Sequence, residues 1–329
     1  MKKEHCFGAD ISKLTVDLVL YNNGRHLRIE NNSKGYKSFL KQINKEGISK
    51  ENCFVLMEHT GLYSAPFERF LVKENIPFSK ISGLQIKLSQ GIVRGKSDKV
   101  DAKKIAAYAH QNQDKLKEIV PSKEVEHLKM LLNLRERLVT ERAGYKVSLK
   151  EEKAFLDLPS ASRIFKTQQK LIKVLDQEIE ELEEEIETVL SSEGSIKKNY
   201  KLLKSIIGVG MIVASYMIVY TNNFLKFTTA RKFASYSGVA PFPYQSGTSI
   251  RGKTKVNHMA NKRAKTLLDL AAKSALVNDP ELRSYYLRKV EEGKEKMKVV
   301  NAIRNKLLGR MFAVIKRGTA FERNYQQAC

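Results

Sequence analysis

Across residues 168–190, Ile172, Leu175, Ile179, Leu182, Ile186 and Val189 recur at steps of 3, 4, 3, 4 and 3 residues. Only a helix returns side chains to one face at that period, and a seam this narrow asks for a second helix beside it. The preceding stretch, 122–152, supplies Leu128, Leu132, Leu138 and Val139 among many charges, and Pro159 and Ser160 lie between the two. An antiparallel hairpin of coiled-coil type follows, and two core helices of a bundle would satisfy the same pattern. Eight residues of 176–187 are acidic: Asp176, Glu178, Glu180, Glu181, Glu183, Glu184, Glu185 and Glu187. That face is unsuited to a phosphate backbone and suited to protein contacts. The hairpin, taken as a connector over 119–195, divides the chain into an N-terminal domain, 1–118, and a C-terminal domain, 196–329.

The N-terminal section reads as mixed α/β. Residues 5–10 and 14–21 are apolar, strand-like runs with a break between them. Asn22-Asn23-Gly24 is a turn signal, and 25–30 can pair back as a third strand. Residues 36–43 and 62–74 carry helical spacing, while 53–57 and 76–81 suit buried strands. Strands mixed with helices in this order indicate an α/β domain.

The C-terminal section reads as mainly helical. A helix, the turn Gly208-Val209-Gly210 and a second apolar helix succeed one another. That pattern is compatible with a hairpin whose amides face a phosphate, and equally with a plain packing corner. Further amphipathic helices cover 260–276 and 280–290. Over 251–317 there are 18 Lys and Arg against 6 Asp and Glu.

Over all 329 residues, 59 Lys and Arg face 36 Asp and Glu, a formal charge of +23. Such a charge opposes compaction and is accounted for by a polyanionic partner, of which nucleic acid is the commonest. A merely soluble or ribosome-like basic protein is the bland alternative. Cys6, Cys53 and Cys329 are too few and too scattered for a zinc site or a disulfide framework, which suits a reducing cytoplasm. No secretory signal precedes the first strand, and the most apolar stretch, 206–220, is too short and glycine-interrupted to span a bilayer.

Four carboxylates stand out. Asp10 closes the first apolar run, and Glu58 directly follows the buried run 53–57. A charge immediately after a buried strand is costly without a partner. Asp98 and Asp101 are three apart, hence on one helical face. An all-oxygen set from two strands and a helix suits hard cations, Mg²⁺ or Mn²⁺, and such ions serve phosphoryl transfer. The bland readings are a turn former for Asp10 and a helix cap for Asp98. Arg94, Lys96, Lys99, Lys103 and Lys104 surround the last pair and are candidate phosphate contacts, or simply a solvated helix face.

Gly8-Ala9-Asp10-Ile11-Ser12-Lys13, Met57-Glu58-His59-Thr60-Gly61 and Lys96-Ser97-Asp98-Lys99-Val100-Asp101-Ala102 resemble the three blocks of the DEDD insertion-sequence transposases. This is the "IS one-ten" group of bridge-RNA-guided recombinases, to which the Piv-type DNA invertases are related. Further on, Ser237-Gly238-Val239-Ala240-Pro241 leads to Tyr244-Gln245-Ser246-Gly247-Thr248-Ser249, which resembles the group's second-domain block. The resemblance spans nearly the whole chain. It departs at Ala260, where many relatives carry glycine before Asn261-Lys262-Arg263.

The resemblance implies a RuvC-like, ribonuclease-H-type N-terminal domain in which Asp10, Glu58, Asp98 and Asp101 bind divalent metal. It implies that Ser246 is the nucleophile of a covalent phosphoserine intermediate; from spacing alone Ser246 reads as a turn residue, and Ser249 is a nearby rival. Arg251, Lys253, Lys255, Lys262, Arg263 and Lys265 become candidate nucleic-acid contacts, while His258 has no assigned role. The expected partners are double-stranded donor and target DNA, a non-coding bridge RNA and further copies of the chain, from dimer to tetramer. A cytoplasmic, nucleoid-associated bacterial protein is expected. Rival readings are a RuvC-like junction resolvase using metal and water alone, a nucleic-acid scaffold without chemistry, and an actin-like ATPase. The last lacks a convincing phosphate loop.

Overall fold

A computed structural model describes residues 3–323 apart from 60, 90–96, 117–121, 157–158, 160–161, 193, 248 and 257–259, and the side chains of Ser246, Ile250, Lys253 and Lys255. The chain forms two compact units, residues 1–120 and 121–329.

The first unit is built on a sheet of His5–Ile11 (β1), Thr15–Leu20 (β2), His26–Glu30 (β3), Cys53–Glu58 (β4) and Phe78–Ile81 (β5). Its order is β3-β2-β1-β4-β5. β1 to β3 form an antiparallel meander, and β4 and β5 run parallel to β1. The turn signal at Asn22-Asn23-Gly24 does join β2 to β3, with Gly24 at φ +68°. Helices Ser33–Lys45 (α1) and Ala65–Lys73 (α2) cover one face, and Asp98–Asn112 (α4) covers the other, after the short helix Gly83–Leu88 (α3). Burial on both faces explains why these strands are runs of apolar residues rather than strict alternations.

The period of two in a strand sorts the side chains. Phe7, Ala9 and Ile11 of β1, with Val55 and Met57 of β4, pack against Phe39, Phe67 and Leu71 of α1 and α2. Cys6, Phe54 and Leu56 face Ile105 and Ala109 of α4. Gly8 lies on this second face. A Cβ there would stand 2.2 Å from the Ala102 carbonyl oxygen and 2.2 Å from the Ala106 nitrogen, so α4 crosses β1 backbone against backbone. Only glycine permits that approach.

The second unit opens with helices Lys123–Phe155 (α5) and Arg163–Ser191 (α6), packed along one another. Ion pairs Arg135–Glu183, at 2.5 Å, and Arg142–Asp176, at 2.6 Å, show the antiparallel sense. They also show cations of α5 offsetting part of the acidic run of α6. The base of this hairpin, through Leu128, Leu132, Ile186 and Leu190, shares one core with the helices that follow. Those are Ser195–Lys204 (α7), Met211–Thr221 (α8), Ala230–Tyr236 (α9), Lys262–Asn278 (α10), Pro280–Glu291 (α11) and Lys296–Arg317 (α12). Gly208, at φ +91°, packs against α10: a Cβ would lie 2.7 Å from the Ala271 carbonyl oxygen. The Gly-Val-Gly turn is thus a close packing corner. Strands Pro241–Ser246 (β6) and Ile250–Val256 (β7) form a separate antiparallel hairpin. Among the described residues no helix is long and apolar enough to cross a membrane.

Candidate active site

Strand period and register bring the carboxylates to one face. Asp10 is next to last in β1 and follows Cys6 and Gly8 on the α4 side. Glu58 ends β4 and follows Phe54 and Leu56 on that same side. β1 and β4 are paired with Ala9 beside Met57, and one further step sets Asp10 beside Glu58. Ser97 caps α4, its side chain accepting from the Val100 N–H, so Asp98 is the first helical residue and not the cap. Asp98 and Asp101 both lie in the first turn, where the helix N-terminus favours anions. The close crossing at Gly8 carries that turn over the end of β1.

The electrostatics report the same convergence. Asp10 is half-buried, and its carboxyl is pushed up from 3.8 to about 6. Burial is the largest cause; the negative charges of Asp98, Asp101, Glu58 and Asp17 add to it, in that order. Glu58 rests against the start of α3, where a Cβ on Gly83 would stand 2.0 Å from its Oε1.

Three further residues belong to this cluster and were not singled out in the sequence. Asp17 is paired with Asp10 across the β1–β2 ladder and is buried. His26 Nε2 lies 2.7 Å from its Oδ1, and Arg28 Nε lies 3.6 Å from its Oδ2. The same guanidinium reaches Asp98 at 3.7 Å. The available signal was a carboxylate inside the apolar run Val16 to Leu20, which needs a buried partner.

The candidate phosphate contacts divide. Lys99 and Lys103 are exposed on α4, but Lys104 lies 2.7 Å from Asp101 Oδ1 and is engaged with the acid cluster. Arg94 and Lys96 lie outside the described residues. In the second unit, Arg251 and Lys262 are exposed and Lys265 is half-buried. Arg263 is not a free cation: its Nε stands 3.1 Å from Glu136, and it lies over the Tyr216 ring at 5.4 Å. The spacing that marked it as basic says nothing of the acid that α5 brings opposite. Lys253 and Lys255 belong to β7, but their side chains, like His258 as a whole, lie outside what is described.

Ser246 is the last residue of β6, paired across the hairpin with Ile250. Gly247, at φ +57°, follows it, so Ser246 stands at the hairpin tip.

The donor set Asp10, Glu58, Asp98 and Asp101 is all oxygen, and the like charges that add to burial in raising Asp10 are ones a divalent cation would relieve. The residues therefore fit Mg²⁺ or Mn²⁺ in chemistry. As placed, no three His, Cys, Asp or Glu side chains among the described residues are gathered tightly enough to cage an ion, and Asp101 is held by Lys104.

Comparison with known proteins completes the assignment. Residues 7–157 match the DEDD transposase family model of the IS110 type, and residues 200–287 match the transposase family described as IS116/IS110/IS902. The pilin gene-inverting protein of Moraxella bovis is 24% identical over 97% of this chain and 98% of its own length. That of Moraxella lacunata is equally similar. An uncharacterized 43.6 kDa protein of insertion element IS110 from Streptomyces coelicolor is 32% identical over 37% of this chain and 30% of its own length. The protein is thus a DNA transposase/recombinase. It belongs to the IS110 family of DEDD transposases.

Proposed function

We propose that this enzyme cuts and rejoins the DNA of an insertion sequence through a phosphoserine intermediate on Ser246, assisted by divalent metal at Asp10, Glu58, Asp98 and Asp101. The carrying observation is that the four carboxylates meet on one face of the sheet, where burial first, and then the charges of Asp98, Asp101 and Glu58, raise Asp10. The sheet order β3-β2-β1-β4-β5, with a meander followed by parallel strands, supports a RuvC-like, ribonuclease-H-type domain. The relatives in Moraxella are named for inverting a pilin gene, which supports double-stranded DNA as substrate.

In this reading the Ser246 oxygen forms a bond to a DNA phosphorus, the bond to a sugar oxygen breaks, and the departing oxygen takes up a proton. Rejoining reverses the step with a second strand end. A bound divalent ion supplies charge stabilisation to the phosphate and to the departing oxygen. Asp10, Glu58, Asp98 and Asp101 would hold such an ion, with Asp101 giving up its ion pair with Lys104 to do so. Exposed cations Lys99, Lys103, Arg251 and Lys262 hold phosphates; Lys253, Lys255, Lys265, Arg94 and Lys96 are assigned the same role from the sequence.

Selection of donor and target DNA by a bridge RNA belongs to the same reading and rests on the family resemblance. Assembly from dimer to tetramer is supported by apolar side chains left exposed on the outer part of the α5–α6 hairpin, among them Val147, Phe155 and Val174. Such an assembly lets the serine of one copy serve the carboxylates of another.

The test is Ser246→Ala. It abolishes the covalent protein–DNA adduct and strand exchange while leaving DNA binding unchanged. Normal strand cutting by that variant, with no adduct trapped from the parent protein, would refute the serine mechanism and leave a metal-and-water nuclease. Sequencing the RNA that co-purifies with the protein checks the guide: a discrete RNA matching sequence beside the gene is expected.

A further inference from the structure

Asn31, just beyond β3, joins two loops through its amide nitrogen and is anchored to α1 through its amide oxygen. Its Nδ2 donates to the carbonyl oxygens of Ser12 and Tyr63, each at 2.9 Å, and its Oδ1 accepts from the Tyr36 hydroxyl at 2.5 Å. Its backbone N–H donates to the Leu14 carbonyl at 2.8 Å. One loop links β1 to β2 and begins two residues after Asp10. The other is the 3₁₀ turn Gly61–Ser64, three residues after Glu58. At no more than about 3.6 Å per residue, two and three steps of chain reach at most roughly 7 and 11 Å, so the tied loops border the acid cluster.

What these loops present is apolar. Leu14 is 74% exposed, Leu62 80% and Tyr63 47%. Three large apolar side chains held out to water on loops tied to one asparagine are costly to leave bare, and Lys13 stands exposed among them.

We propose that Leu14, Leu62 and Tyr63 form a stacking rim that receives an unpaired DNA base beside the phosphate being cut, with Asn31 as the positioning residue that holds the rim together. The assignment rests on the reading that DNA is cut at the neighbouring carboxylates. Charge and chemistry favour this occupant. A base offers an apolar face for the rim, its phosphate matches Lys13, and a transposase must bring DNA to its carboxylates. Opening the duplex locally there would free the scissile phosphate to reach the acid cluster.

The experiment uses the full-length protein in chelator, with two synthetic probes: a fully paired DNA duplex, and the same duplex with an unpaired bubble carrying a fluorescent adenine analogue. The parent protein binds the bubble more tightly and quenches the analogue. Leu62→Ser combined with Tyr63→Ala weakens bubble binding by about tenfold and abolishes the quench, leaving paired-duplex affinity unchanged. Tyr63→Phe retains both, because stacking needs the ring and not the hydroxyl. Asn31→Asp, which removes both amide donors at nearly constant shape, reproduces the loss. Bubble preference and quench unchanged in the double variant overturn the proposal. So does a double variant that alters the oligomeric state measured by light scattering, which would make the rim a contact between copies. Asp10→Asn separates the two levels. It stops cutting if the carboxylate reading holds and leaves the bubble preference intact, so either claim can fail alone.

Discussion

Asp10→Asn tests the acid cluster through stability instead of activity. The fold raises this carboxyl from 3.8 to about 6, roughly two units. Each unit corresponds to about 1.4 kcal/mol, a ceiling near 3 kcal/mol. Asp10 is only half-buried and counter-ions reach it, so screening reduces the expected figure to about 1–1.5 kcal/mol. The sign follows from linkage. The folded state holds the proton more tightly than the unfolded chain does. Its favourable contribution is complete below about pH 4 and is lost as the pH rises through about 6. At neutral pH without metal, the Asn variant should therefore be more stable than the parent by that amount, worth a few degrees in melting temperature. Added Mg²⁺ or Mn²⁺ should stabilise the parent and not the variant. Thermal unfolding in chelator at pH 4 and pH 7.5, then with metal, measures all three arms. Equal parent and variant stability at both pH values would refute the argument that burial and neighbouring negative charge raise Asp10.

Gly83→Ala places a methyl where the Glu58 carboxylate lies. The side chain can swing away, so thermal stability should change by less than about 1 kcal/mol while metal-dependent strand cutting falls at least tenfold. Retained activity would show that Glu58 does not need its present position. In the second unit, Arg310 reaches Asp279, the buried cap of α11, at 2.5 Å. Arg310→Ala leaves that buried carboxylate with only the Glu281 and Leu282 N–H groups as partners, and denaturant unfolding should show a loss of about 3 kcal/mol.

The acid pattern was readable because its causes are local. A charge directly after the buried run 53–57, and two acids three apart on a helix, each carry their own geometry. The seam at 172–189 likewise specified a helical pair, and the observed α5–α6 hairpin is antiparallel about it. Asp17, Arg28 and Asn31 escaped notice because their importance is not local. Asp17 matters through its ladder partner Asp10, Arg28 through Asp98, seventy residues on, and Asn31 through loops at both 12–14 and 63. Arg263 shows the same limit: its basic neighbours in sequence mark it as a phosphate contact, and only the structure sets Glu136 and Tyr216 beside it.

Hydrophobic period and turn residues thus determined by themselves the mixed α/β first unit and the helical second unit, and the order of acids singled out four carboxylates as candidates, since each of these signals depends on near neighbours along the chain. Only the tertiary structure decided which cations are free and which are engaged, why Gly8 must be glycine, and how Asn31 ties two loops beside the acids. These depend on pairings across tens of residues, set by strand register and helix crossing, which no local pattern encodes.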